Sequence, residues 1–75
     1  MKFRTLRERC SAKAYRLNIT RRNGKTESWE VHLLYTVEPN RKLGMWDAAE
    51  VEAFGATITK WPVGYVNTLE VNLRE

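Results

Sequence analysis

Apolar and polar residues alternate along two neighbouring stretches of the chain, which is the pattern of a half-buried β-strand. In residues 13–22 the apolar positions on one side are Tyr15, Leu17 and Ile19. In residues 26–37 they are Trp29, Val31, Leu33, Tyr35 and Val37. The sequence Arg22-Asn23-Gly24-Lys25 between them is a hairpin signal. The pattern therefore predicts an antiparallel hairpin.

The loop length of this hairpin follows from where its apolar residues must point. A two-residue Asn23-Gly24 loop would place the apolar sets of the two strands on opposite faces and split the core. A three-residue loop, with Gly24 left-handed in a G1 bulge, brings Leu17 opposite Trp29 and puts both sets on one face. We therefore predict the three-residue loop. The basic residues clustered at its tip are then Arg21, Arg22 and Lys25.

The segment that begins at residue 46 predicts the start of a helix. Asp47 is a good N-cap residue, and Glu50 lies three positions later, where its carboxylate can reach back to the Asp47 N–H in a capping box. The flanking hydrophobic-staple positions are Trp46 and Val51. The apolar stripe of this helix would be Val51, Phe54 and Ile58. The helix is expected to end at Gly55 or to continue to about Lys60.

The remaining segments complete a small α+β domain over residues 1–75. Pro39 is expected to end the second strand in a turn over residues 38–42. Residues 63–73 predict the last strand, with apolar positions Val63, Tyr65, Leu69, Val71 and Leu73. Residues 1–12 fit either a helix or an edge strand. We predict an antiparallel sheet of three to four strands with one short helix packed on one face. The other face should expose Arg16, Asn18, Thr20, Glu30, His32 and Leu34.

Length and composition limit the function classes. A chain of 75 residues buries only about 60% of its unfolded surface and leaves no room for a deep catalytic cleft. No apolar run approaches the roughly 20 residues of a membrane-spanning helix, and the charged start predicts no secretory signal. Cys10 is the only cysteine, and a lone thiol suits a reducing compartment. We therefore expect a cytoplasmic protein.

The net charge of +4 is unevenly distributed along the chain. Residues 1–37 carry nine Lys or Arg and three acids, whereas residues 38–75 carry four Lys or Arg and six acids. A basic half of this kind attracts phosphate backbones or an acidic protein surface, although it can also serve only to keep a domain soluble.

The sequence shows no arrangement of residues typical of an active site. His32 is the only histidine, and its predicted place on an open sheet face gives it neither the partner nor the pocket that acid–base catalysis needs. Cys10 lacks a second cysteine or a nearby histidine for a zinc or redox site. We therefore expect a protein that is not an enzyme and that holds no metal or cofactor. Its candidate binding residues are Arg21, Arg22, Lys25, Glu30, Arg4 and Arg7.

Several short motifs carry a first resemblance. The chain opens Met1-Lys2-Phe3, continues with Tyr15-Arg16-Leu17-Asn18-Ile19 and Asn23-Gly24-Lys25, and later has Leu43-Gly44, Asp47, Glu50 and Phe54. These motifs resemble those of small phage anti-CRISPR proteins that dock on the type I-F Csy surveillance complex. The resemblance implies an inhibitor that blocks target DNA binding by a host CRISPR-Cas complex. The chain departs from that family at Arg21, where the family has an aromatic contact residue, and at residues 63–73, which are helical there.

A second resemblance suggests an alternative function. Trp29-Glu30-Val31, followed by Arg41-Lys42-Leu43-Gly44-Met45-Trp46-Asp47-Ala48-Ala49-Glu50, is similar to part of the three-stranded DNA-binding domains of tyrosine-type integrases and plant ethylene-response factors. It implies a sheet that lies in the major groove. The face it would present carries Arg16, Asn18, Thr20, Arg22, Glu30 and His32. The expected partner is thus a host protein or ribonucleoprotein complex, or else duplex DNA. We expect the protein to bind it as a monomer or weak dimer and not to associate with a membrane.

Overall fold

A computed structural model describes all 75 residues of the chain. The elements in chain order are helix α1 (Phe3–Arg9), strands β1 (Ala14–Thr20) and β2 (Thr26–His32), helix α2 (Pro39–Gly44), and strands β3 (Glu50–Trp61) and β4 (Gly64–Arg74). The strands form one sheet in the order β2-β1-β4-β3. The predicted α+β class is confirmed, with two short helices instead of one. Neither helix has the length and apolar character needed to cross a membrane.

The β1–β2 hairpin has the register that its alternation predicts. Leu17 is paired with Trp29, and the loop of residues 22–24 has three residues. Gly24 has a φ of 84°, the left-handed conformation that glycine adopts at little cost. The Lys25 N–H donates to the Asn23 side chain at 3.0 Å, and the Lys25 carbonyl accepts from the Arg21 N–H at 2.7 Å. The loop therefore holds the apolar sets of both strands on the same face.

The second strand ends earlier than the alternation predicts. β2 stops at His32 because a tight turn closes directly after it. The His32 N–H donates to the Thr36 hydroxyl at 2.8 Å, and the Thr36 N–H donates to the His32 carbonyl at 2.9 Å. Such local side-chain bonds compete with strand formation, especially at a sheet edge. The apolar residues left exposed beyond the strand are Leu33, Leu34, Tyr35 and Val37.

The helix predicted from Asp47 does not form. Glu50–Trp61 is the strand β3, which pairs antiparallel with β4, and the short helix α2 lies earlier, where the sequence predicted a turn. β3 is rich in β-branched and aromatic residues that fit a pleated surface, and Gly55 in its middle would weaken a helix. The predicted last strand, by contrast, is confirmed as β4.

The sheet is mixed and not antiparallel throughout. β1 and β4 run parallel at its centre, with Leu17 opposite Val71, while the β1–β2 and β3–β4 pairs are antiparallel. This order places the second and third strands, β2 and β3, at the two edges. Periodicity within a segment does not encode which strand becomes its neighbour, so the pattern of the sequence could not have predicted this arrangement.

The core lies between the two helices and one face of the sheet, which we call the helix-side face; the opposite face is the outer face. Residues 3–9 form the helix α1, which settles the two alternatives left open for the start of the chain. Phe3 packs edge-on against Tyr15 at 6.1 Å, and Trp29 packs edge-on against Trp46 at 5.4 Å, as aromatic pairs prefer. The core residues are Phe3, Leu6, Tyr15, Leu17, Ile19, Val31, Leu43, Trp46, Ala49, Leu69, Val71 and Leu73.

Candidate interaction surfaces

The tip of the β1–β2 hairpin carries three of the predicted binding residues, and two of them form no ion pair. Arg21 contacts two carboxylates, that of Glu27 at 3.2 Å and that of Glu75 at 3.6 Å. The side chains of Arg22 and Lys25 form no salt bridge and are exposed. Arg21 therefore fastens the tip to the end of the chain, whereas Arg22 and Lys25 remain available to a partner.

Two more predicted residues, Arg4 and Arg7, lie on helix α1 and not on the hairpin. Arg7 contacts Asp47 at 2.6 Å in a partly buried ion pair. In the folded domain Asp47 is therefore an ion-pair partner and not a helix cap. Arg4 pairs with Glu8 at 3.0 Å on the exposed side of the helix. Arg7 is thus a structural residue, whereas Arg4 is exposed on helix α1 and paired with Glu8.

The outer face of the sheet contains the last predicted residue, Glu30, within a polar network. Glu30 lies 3.2 Å from Arg16, whose other guanidinium nitrogen is 4.0 Å from Glu70. The Asn18 amide donates to Glu70 at 3.3 Å and to Asn72 at 3.0 Å. The single cation at the middle of this face is therefore flanked by two carboxylates, an unfavourable surface for a phosphate backbone.

His32 was predicted to be exposed on the outer face, and the structure corrects this because its side chain is only 2% exposed. The Nδ1 atom accepts a hydrogen bond from the Leu34 N–H at 3.0 Å. The ring lies 4.7 Å from that of Tyr35 and 5.0 Å from that of Trp61. Trp61 Nε1 and, two residues earlier on the same face of β3, Thr59 Oγ1 are buried without a hydrogen-bond partner. The turn after β2 and the end of β3 thus enclose a second, smaller aromatic cluster.

The edge of β3 is a surface that the sequence interpretation missed, because it assigned these residues to a helix. At the start of this edge, Val51 N–H donates to the Met1 carbonyl at 2.8 Å and Phe3 N–H donates to the Ala49 carbonyl at 3.0 Å. Residues 53–59, which we call the open edge, have no neighbouring strand on this side. They also include no charged residue and no proline. Natural edge strands usually contain such residues, which prevent pairing with another chain.

Apolar side chains next to the open edge are exposed on the helix-side face. Phe54 lies opposite the core residue Val71, yet 53% of its surface is exposed, because neither helix extends over β3. Ile58, on the same face of the strand, is 65% exposed, and Tyr65 of β4 is 76% exposed. Apolar residues grouped in this way indicate a surface that contacts another molecule more often than isolated ones do.

Charged groups divide into paired acids and a set of free cations. Each of the nine acidic side chains takes part in a salt bridge. The basic residues outside these salt bridges are Arg9, Lys13, Arg22, Lys25, Lys42 and Lys60. Five of these six residues are exposed and Lys42 is partly buried. Unpaired positive charge of this kind attracts anionic groups.

Two side chains have shifted pKa values, and both shifts have structural causes. A hydrogen bond from Lys2, together with the N-terminal amino group, lowers the pKa of the Glu50 carboxyl below its usual value. Burial raises the pKa of the Tyr15 phenol, and this effect outweighs the opposing charge of Arg7. Glu50 thus joins the start of the chain to β3, the role it has in place of the predicted capping box.

The reactive side chains lie on different faces of the sheet. Cys10 packs beside the core on the helix-side face, whereas His32 lies in the cluster on the outer face. No three His, Cys, Asp or Glu residues are close enough to hold a metal ion. No family model, curated protein or solved structure matches this chain.

Proposed function

We propose that this protein is a non-catalytic binding domain that docks on a protein or ribonucleoprotein surface through the tip of its β1–β2 hairpin. The observation that carries the proposal is the pair Arg22 and Lys25, whose exposed side chains flank a well-fixed loop and form no salt bridge. Guanidinium and ammonium groups of this kind bind carboxylates or phosphates of a partner. A host CRISPR-Cas complex is the partner that the resemblance to anti-CRISPR proteins favours.

Blocking such a complex requires only a rigid body at the right place. The hairpin tip is held by the contacts of Arg21 with Glu27 and Glu75 and by the Gly24 loop. A fixed loop loses little conformational entropy on binding, which favours affinity. The proposed role is thus steric cover of a DNA-binding surface on the partner.

The alternative, a sheet that reads duplex DNA, has less support from the side chains on the outer face. Arg16 is engaged by Glu30 and Glu70, and the amide of Asn18 is already bonded to its neighbours. Approach of a phosphate backbone would bring it against these carboxylates, at an electrostatic cost. We therefore place the contact at the hairpin tip.

The experiment is a DNA-shift assay with a purified type I-F surveillance complex, its target duplex and increasing amounts of this protein. We expect inhibition of target binding, and a loss of at least about tenfold in potency for the Arg22→Glu/Lys25→Glu double variant, since two charge-assisted contacts are reversed. The matched control is Lys42→Glu, which reverses a free cation on helix α2. Equal potency of the double variant and the wild type would contradict the hairpin-tip site.

The same assay with duplex DNA and no surveillance complex distinguishes the proposed inhibitor from the alternative, a DNA-binding domain. Binding that falls steeply with salt would favour a DNA-binding domain, because it reports release of counterions from phosphates. No inhibition of the surveillance complex together with salt-sensitive binding to free DNA would overturn the proposed function.

A further inference from the structure

We propose that the open edge of β3 pairs with the open edge of a second copy of this chain. The product is a two-fold symmetric dimer in which the two four-stranded sheets join into one continuous sheet. The hairpin of the proposed function lies at the other edge of the sheet, so this inference stands independently of that function.

The backbone of β3 is set up for this pairing. The Val51 N–H points away from β4, because it donates to the Met1 carbonyl at 2.8 Å. A bulge between Val51 and Ala53 then shifts the alternation by one residue. The residues whose N–H and C=O groups point away from β4 along the open edge are therefore Phe54, Ala56 and Ile58. These groups have no strand to pair with in the monomer.

Symmetry and the free length select one register. A two-fold axis perpendicular to the sheet keeps each side chain on its own face, so only residues of the same face can lie opposite each other. The segment Met1–Phe3 covers the edge as far as Val51, and the uncharged stretch that follows ends before Lys60, so we take residues 53–59 as the paired length. The centre of that stretch is Ala56, which then lies opposite its own copy.

This register also matches side chains. It places Phe54 opposite Ile58 of the second copy, and the same contact occurs twice because of the symmetry. Both residues are more than half exposed in the monomer, at 53% and 65%. Aromatic and β-branched residues opposite each other stabilise adjacent strands. In this register Phe54 and Ile58 would therefore form backbone hydrogen bonds with the second copy and would also bury their apolar side chains against it.

Charge favours the antiparallel direction. β3 begins with the acidic residues Glu50 and Glu52 and ends with Lys60, which forms no salt bridge. Antiparallel pairing brings Lys60 of each copy towards the acidic start of the other, where Glu52 already contacts Arg74 at 2.7 Å. Parallel pairing would bring like charges together. The other edge strand, β2, contains two carboxylates and no Lys or Arg, so self-pairing there would be repulsive.

The first test is the mass of the protein in solution, by light scattering after gel filtration and by sedimentation over a range of concentrations. We expect a concentration-dependent dimer of the 8.8 kDa chain. Ile58→Lys should raise the dissociation constant at least tenfold, whereas Tyr65→Lys, an exposed residue of the same face on the inner strand β4, should leave it nearly unchanged. A monomer at every concentration would overturn the proposal, and the remaining candidate to pair with the open edge would be a strand of another protein. Equal dissociation constants for the two variants also overturn it.

The second test reports the register. In a Cys10→Ser background, an Ala56→Cys variant should form a disulfide-linked dimer under mild oxidation, because residues exchanging hydrogen bonds across antiparallel strands lie within disulfide distance. An Ile58→Cys variant in the same background should link far more slowly, since it faces Phe54. Circular dichroism of each variant checks that the fold is kept. Equal crosslinking of the two variants would overturn the register centred on Ala56.

Discussion

Arg7 of helix α1 and Asp47, which follows helix α2, form the shortest side-chain ion pair of the structure, with 2.6 Å between nitrogen and oxygen. Both side chains are mostly shielded from solvent, at 20% and 32% exposure. The contact joins the two short helices that cover the core, each of which is too short to be stable alone. Arg7 is therefore expected to act on stability and not on partner binding.

Replacing Arg7 with alanine should lower the free energy of unfolding by about 1–3 kcal/mol, because Asp47 then loses its partner in a partly buried place. The measurement is urea denaturation followed by tryptophan fluorescence. Arg4→Ala is the matched control, since it removes an exposed pair with Glu8 on the same helix and should cost less than about 0.5 kcal/mol. Equal losses for the two variants would contradict the structural role of Arg7.

Two glycines of the sheet should respond in opposite ways to substitution by alanine. Neither Gly24 nor Gly55 has an atom within 4 Å of the place where a Cβ would stand, so contacts do not decide the outcome. Gly24 has a φ of 84°, and alanine there should cost about 1 kcal/mol or more. Gly55→Ala should be neutral or slightly stabilising, because it reduces the freedom of the unfolded chain. Thermal unfolding of both variants gives the comparison, and a loss at Gly55 as large as that at Gly24 would contradict the strand assignment.

The stability of the domain should depend on the ionisation of Glu50. The Lys2 side chain and the amino terminus lower the pKa of its carboxyl in the folded state. Its stabilising contribution is therefore fully present above the unfolded-state pKa of about 4.3 and is lost as pH falls through the folded-state value. Unfolding free energies of wild type and Glu50→Gln should differ at neutral pH and converge in acid.

Lys2→Ala provides the control for this pH dependence. With the principal partner removed, the pKa of Glu50 should move back towards its usual value, and a carboxyl titration by NMR would record the change. A Glu50 pKa that is the same with and without Lys2 would contradict the contact at 2.7 Å.

Alanine substitutions of Phe54 and Leu17 distinguish the strand β3 from the helix predicted for the same segment, because that helix would have placed Phe54 in the core. In the structure Phe54 is 53% exposed and Leu17 is fully buried. Leu17→Ala should cost about 2–5 kcal/mol. Phe54→Ala should cost less than half as much when measured at a concentration where the chain is monomeric, because about half of the Phe54 surface is exposed there. A large loss at Phe54 under these conditions would favour a helix in this segment.

The β1–β2 hairpin could be predicted from the sequence because its determinants are local. Alternation defines the buried face, and Gly24 can adopt the left-handed turn, so only one loop length keeps Leu17 and Trp29 on the same side. The last strand was predictable for the same reason. Each of these elements carries its own signal within about ten residues.

The segment after Asp47 shows why the rest was not predictable. Val51, Phe54 and Ile58 have the spacing of a helical stripe, and the acids at positions 47 and 50 fit a capping box. The three apolar residues share one face of β3 only because of the bulge between Val51 and Ala53. The choice is made by β4, which pairs with this segment along its whole length and satisfies its backbone. Strand propensity depends on such neighbours more than helix propensity does.

The candidate surfaces depended on the same unseen neighbours. The open edge exists only because β4 lies between β1 and β3. The burial of His32 depends on the ring of Trp61, which packs against it on the outer face. Likewise, the sequence could place Arg21, Arg22 and Lys25 at one tip, but not show that Glu75 would return to engage one of them. Local patterns predict the position of a residue within its helix or strand. Whether its side chain is exposed and unpaired depends on which other elements pack beside it.

The parallel pairing of β1 with β4 has a kinetic consequence. Neighbours such as Asn18 and Asn72 are 54 positions apart, so the middle of the sheet closes only after most of the chain has been brought together. The β1–β2 hairpin alone is marginal in water, because two strands bury too little surface. High contact order of this kind slows folding relative to helical domains of equal size. A protease cut before β4 would therefore remove the strand on which both halves of the sheet depend, and no smaller folded domain should remain. For the same reason, the intact molecule should unfold as a single cooperative unit.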